Sequence, residues 1–168
     1  EKNKFAGIGD EGGLSAQFSS FYEPFDFVME ALKQTGLNDV FVIGIDAAAN
    51  QFYNKKTRKY SILGEEKTSE DMLHMYKKLA DSYPLFSIED GFAETDIEGW
   101  KALFSDLGKT LQILILILSN TYKSDKLDQY ENKLEKMCRY SSNYNYKSIY
   151  LNKIKSTLII IPKSLLIR

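Results

Sequence analysis

Phe41-Val42-Ile43-Gly44-Ile45-Asp46-Ala47-Ala48-Ala49-Asn50 is the stretch on which the fold of this 168-residue chain turns. Apolar, mostly β-branched residues run without polar alternation up to one carboxylate, Asp46, and small residues follow at once. Such a run predicts a strand covered on both faces, as in parallel sheets. An acid at the carboxyl end of such a strand lies where open α/β sheets and βα barrels place their ligands. The pattern recurs downstream as Leu85-Phe86-Ser87-Ile88-Glu89-Asp90-Gly91, immediately after Tyr83-Pro84. Upstream lies a third acidic turn, Gly9-Asp10-Glu11-Gly12-Gly13. The three carboxylate-bearing turns are expected to form one site.

Between these turns the sequence alternates helix and strand signals. Pro24 opens a helix at its first turn, with Phe27, Val28, Ala31 and Leu32 as its apolar stripe and Gly36 at its end. Asn54–Tyr60 reads as a basic turn. Thr68, with Asp71 three residues on, forms a capping box for a second helix, in which Met72, Leu73, Tyr76, Leu79 and Ala80 fall at helical spacing. Asp96–Leu107 is expected to be a third helix with Trp100, Leu103 and Phe104 inward. The alternation predicts an α/β domain with parallel pairing.

The chain divides by composition. All ten glycines and all ten phenylalanines lie at or before Gly108, and neither alanine nor valine occurs after Ala102. Residues 1–110 carry 12 basic and 19 acidic side chains (−7), whereas 111–168 carry 10 and 4 (+6). So abrupt a change of alphabet suggests two segments, 1–110 and 111–168, of different origin. The second opens with the apolar run Leu111–Leu118. Ser124 can cap a helix with Leu127, Tyr130, Leu134 and Met137 along a narrow seam, and Leu158–Ile161 is strand-like before Pro162. Its Lys/Asn/Ile/Tyr-rich writing resembles a shifted reading frame or a retained intron in an A/T-rich gene, and sequencing the transcript across the Leu111 codon would settle that.

Composition also excludes several classes of function. A net charge of −1 argues against nucleic acid as a partner, since duplex binding needs a clustered basic surface. The lone cysteine, Cys138, rules out an internal disulfide framework and fits a reducing compartment. No apolar run approaches the roughly 20 residues of a membrane helix, so the expected location is the cytoplasm, with no membrane partner. No zinc-type spacing of His and Cys occurs, and His74 reads as an ordinary helix residue. Several carboxylates on neighbouring strand ends repel one another unless a cation joins them. All-oxygen ligation with room for water and phosphate favours Mg²⁺. The acids alone leave a structural role, as helix caps, equally open.

Ile8-Gly9-Asp10-Glu11-Gly12-Gly13, then Gly44-Ile45-Asp46-Ala47-Ala48 with Phe52-Tyr53, then Tyr83-Pro84-Leu85-Phe86-Ser87-Ile88-Glu89-Asp90 closely resemble enolase, in order and in separation. The resemblance covers residues 1–110. It implies a partial (β/α) TIM-like barrel of the enolase type, the carboxy-terminal domain of that family, followed by a non-homologous, partly helical tail. It further implies a phosphopyruvate hydratase, a glycolytic lyase that dehydrates 2-phosphoglycerate to phosphoenolpyruvate in the cytoplasm as a homodimer. By the same resemblance Glu11 is the general acid that protonates the departing hydroxyl, and Asp46 and Glu89 are two of three ligands of the Mg²⁺ cofactor. Enolases abstract a carbon-bound proton with a lysine and meet the dianion so formed with metal.

Departures from the pattern bear on activity. Gly91 stands where the family has proline. After Leu111-Gln112-Ile113-Leu114 the family has a strand-end pair of aspartates, and this chain has Ile115-Leu116-Ile117-Leu118-Ser119-Asn120. The third ligand is thus missing from its place, and neither Lys147 nor Lys153 lies in the context of the catalytic lysine. The amino-terminal domain and later barrel strands of the family have no counterpart in the sequence. The expectation is a catalytically incomplete enolase fragment. The alternatives are a non-catalytic interaction protein acting through Ser124–Tyr140, and another Mg²⁺-assisted proton abstraction, against which Gly-Asp-Glu-Gly-Gly speaks.

Overall fold

A computed structural model of the chain describes residues 5–8, 14–114 and 157–162. Glu11, Cys138 and the helix expected after Ser124 lie outside the described residues, as does the apolar run beyond Leu114.

The centre of the domain is a four-stranded sheet. Strand β3 (Phe41–Asp46) pairs parallel with β7 (Leu85–Glu89), and β7 pairs parallel with β8 (Gln112–Leu114). Ile43, Ile45 and Ile88 are buried, as a continuous apolar run between two covered faces requires. The crossovers are helical: α2 (Ser69–Ser82) leads from β3 to β7, and α3 (Ile97–Leu107) from β7 to β8. Three parallel strands with helical crossovers make a partial, unclosed barrel sheet.

The other edge of β3 carries β9 (Thr157–Pro162), antiparallel, with Phe41 opposite Pro162 and Asp46 opposite Thr157. The strand expected at Leu158–Ile161 therefore forms, but it runs against the barrel direction. It supplies the antiparallel edge common on otherwise parallel sheets.

Local chemistry explains the helices. The Asp71 amide donates to Thr68 Oγ1 at 3.2 Å, and the Thr68 amide donates back to Asp71 Oδ2 at 2.8 Å, closing the capping box of α2. Met72, Tyr76 and Leu79 are its buried face. Asp96 caps α3, accepting from the Gly99 amide at 3.0 Å. Trp100, Leu103 and Leu107 are buried along α3, while Phe104 packs against the core from a half-buried position. Helix α1 (Glu23–Gln34) ends as predicted, with the Leu37 amide donating to the Leu32 carbonyl at 2.8 Å and Gly36 at φ 69°. Its buried stripe is rotated from the expectation. Phe25 and Leu32 are buried with Val28 and Met29 packed beside them, and Ala31 faces solvent, because the larger side chains claim the core face.

Asn54–Tyr60 is not a plain turn. Strands β4 (Tyr53–Asn54), β5 (Lys59–Ile62) and β6 (Glu65–Lys67) form an antiparallel meander inserted between β3 and α2. It delivers Tyr60, fully buried, to the core. There Phe92 packs edge-on against Tyr60, Tyr76 and Trp100 with ring centroids 5.9–6.0 Å apart. Strands β1 (Phe5–Ile8) and β2 (Leu14–Ala16) pair as a separate antiparallel hairpin. Residues 9–13, with Glu11, connect them in sequence.

Candidate metal centre

Parallel pairing in register sets Asp46 opposite Glu89, at the carboxyl ends of β3 and β7. Identical strand direction and equal reach give the two acids the same height on the same end of the sheet. Each strand then leaves through a turn containing a left-handed, non-glycine residue, Ala48 at φ 45° and Asp90 at φ 47°. Such residues cost about 1–2 kcal/mol each and persist where their surroundings over-determine them. The Ala47 amide donates to the Glu89 carbonyl at 2.8 Å, and the Ala49 amide to the Asp90 carbonyl at 3.0 Å. The Asp90 amide in turn donates to the Leu114 carbonyl at 3.0 Å, linking the second turn to β8.

The two carboxylates differ in setting. Asp46 is 5% exposed, and its Oδ1 accepts from the Ala48 amide at 3.1 Å, which shapes the turn. It also borders an apolar cavity of about 280 Å³ whose wall includes Phe18, Phe21, Phe25, Phe52 and Met72, so water has little access from that side. Glu89 is half-buried, and burial pushes its carboxyl above the ordinary glutamate range. Among the described residues none donates a side-chain hydrogen bond to it.

Two oxygen donors on adjacent strand ends, one of them desolvated, fit a hard divalent cation that keeps several waters. Asp46 and Glu89 would hold Mg²⁺, which would supply positive charge where an anion develops. Among the described residues there is no cluster of three or more His, Cys, Asp or Glu side chains that would enclose a metal. Glu11, expected as the third member of the site, lies outside the described residues. No described helix is long and apolar enough to cross a membrane.

The desolvation of Glu89 has a pH signature in the metal-free protein. A carboxyl whose folded pKa is raised contributes stability below its unfolded value, near 4.5, and loses it as pH rises through the folded value. Glu89→Gln removes that desolvated charge. It is expected to melt at a higher temperature than the parent chain at pH 7 and at the same temperature at pH 4. Thermal scans without divalent ions check this, and equal melting at both pH values would contradict it.

Sequence reasoning missed the polar network behind the second turn. The Tyr60 hydroxyl donates to Asp96 Oδ2 at 2.7 Å and accepts from the Ala93 amide at 3.0 Å, Ser69 Oγ donates to the same carboxylate oxygen, and Trp100 Nε1 donates to the Ala93 carbonyl at 3.0 Å. These bonds seat residues 91–96 directly after Glu89. Gly91 belongs to this buried turn, and its carbonyl accepts from the Tyr76 hydroxyl at 2.8 Å. A Cβ there would come within 2.9 Å of Ile88 Cγ2, so the packing has closed over the position where the enolase pattern carries proline.

Comparison with known proteins agrees with this architecture. Residues 1–135 match the family described as enolase, C-terminal TIM barrel domain, a span that continues past the change of alphabet at Leu111. An enolase from Methanococcus aeolicus is 37% identical over 121 residues, which cover 71% of this chain and 28% of that relative. The chain thus spans less than a third of the length of the curated relative it matches.

Proposed function

Because this chain belongs to the enolase family, through the family's carboxy-terminal barrel domain, we propose that it carries part of the machinery for dehydrating 2-phosphoglycerate to phosphoenolpyruvate, a glycolytic lyase reaction of the cytoplasm, and does not complete that reaction by itself. The observation that carries the reading is the register of Asp46 with Glu89 on adjacent parallel strands. In this reading the two carboxylates hold a Mg²⁺ ion, and Glu11 is the general acid for the leaving hydroxyl. A proton beside a carboxylate is so weakly acidic that the second negative charge must be met by metal as it forms. The chain's own part is to hold the ion's protein ligands at one height and to keep water from Asp46.

Incompleteness rests on residues inside the chain. After Leu114 comes Ile115-Leu116-Ile117-Leu118, with no acid in the place of the third ligand, and no lysine follows in the context of the family's base. We take residues 1–110 as the barrel portion and 111–168 as a divergent tail. Substrate and product are the partners of the proposed site, and the homodimer of the family is the assembly it would enter.

Assay of the purified chain against a Glu11→Gln control, with 2-phosphoglycerate and excess Mg²⁺, tests the proposal. Absence of turnover in both supports it. Turnover in the parent chain that depends on Glu11 would overturn the claim of incompleteness.

A further inference from the structure

We infer that Asn50 is a positioning residue that clamps the two acidic turns together and so fixes the spacing of Asp46 and Glu89 for a divalent cation. The inference rests on the metal site proposed above and adds a residue to it. Asn50 lies in the short 3-10 helix Ala49–Phe52, just past the left-handed turn that follows Asp46. Its Oδ1 accepts from the Glu94 amide at 3.0 Å, across 44 residues of sequence. Glu94 sits in the segment that follows Glu89 and Asp90, the one seated from behind by Tyr60 through Ala93.

The turns are therefore tied at three successive points: Ala47 to Glu89, Ala49 to Asp90, and Glu94 to Asn50. The first two bonds run between backbone atoms and survive any change of side chain. The third needs an acceptor on a short side chain at position 50, which Asn supplies and Ala does not. Two non-glycine residues at positive φ lie between these ties, and a turn of that kind relaxes when a restraint is removed. Relaxation of either turn moves a carboxylate relative to its register partner. A cation bridging the two feels that displacement, whereas the packed core does not, because Asn50 is solvent-exposed.

The test compares the parent chain, Asn50→Ala and Asn50→Asp by calorimetric titration with Mg²⁺, with amide hydrogen exchange at Glu94 read in parallel. A hydrogen bond of this kind is worth a factor of about five. Asn50→Ala is expected to weaken Mg²⁺ binding about fivefold and to speed exchange at Glu94, with an unchanged melting temperature. Asn50→Asp keeps the acceptor and is expected to restore both. Faster exchange at Glu94 in Asn50→Ala with unaltered Mg²⁺ affinity would overturn the inference while leaving the metal site standing. A parent chain that binds no Mg²⁺ would overturn the metal site and the inference with it.

Discussion

The purified 168-residue chain is expected to convert no 2-phosphoglycerate to phosphoenolpyruvate above a Glu11→Gln control, followed by ultraviolet absorbance in excess Mg²⁺. General acid catalysis is worth on the order of 10²–10⁴ in rate, and only where a base has already generated the carbanion that the acid helps to break down. Enolases generate it with a lysine and three metal ligands. This chain offers Asp46 and Glu89, and then Ile115–Leu118 where an acid belongs. Replacing Leu111–Arg168 with a standard enolase continuation and adding the family's amino-terminal domain is expected to restore turnover. In that hybrid Glu11→Gln should then lower the rate by about 10²–10⁴. A hybrid that turns over equally well with Glu11→Gln would remove Glu11 from the reaction.

Much of this domain was legible because its signals are local. The runs to Asp46 and Glu89 are apolar, β-branched and short, and each stops on an acid, so both strand and site position could be read from them. Thr68 with Asp71 announced the start of α2, and Gly36 the end of α1. The meander β4–β6 escaped for an equally local reason. Two-residue hairpin turns need positive φ at both central positions, and Asn-Gly is their usual mark. Here the turn between β5 and β6 is Leu63-Gly64, with φ 51° and 83°, and leucine gives no such cue. Strands of two to four residues add little periodicity of their own.

Other features depend on partners far away in sequence. That β9 lies against β3 is a matter of backbone hydrogen bonds, which any strand can offer, and its residues do not name an edge. Asn50 reads as one more polar loop residue until Glu94 is brought to it. Asp96 was legible as the start of α3, but its bonds to Tyr60 and Ser69 were not. Register is what turned two separate acids into one site, since a slip of one residue would send one side chain to the opposite face.

The account stands or falls on whether Asp46 and Glu89 share a cation, and titration calorimetry with Mg²⁺ measures that directly. A unit charge about 4 Å away at an effective dielectric near 20 is worth about 4 kcal/mol. Loss of either carboxylate therefore weakens binding about 10²-fold or more. The chain is expected to bind Mg²⁺ weakly, with two protein ligands and water completing the shell, and Asp46→Ala and Glu89→Ala are each expected to abolish measurable heat. Tight Mg²⁺ binding that survives both substitutions unchanged would contradict the account.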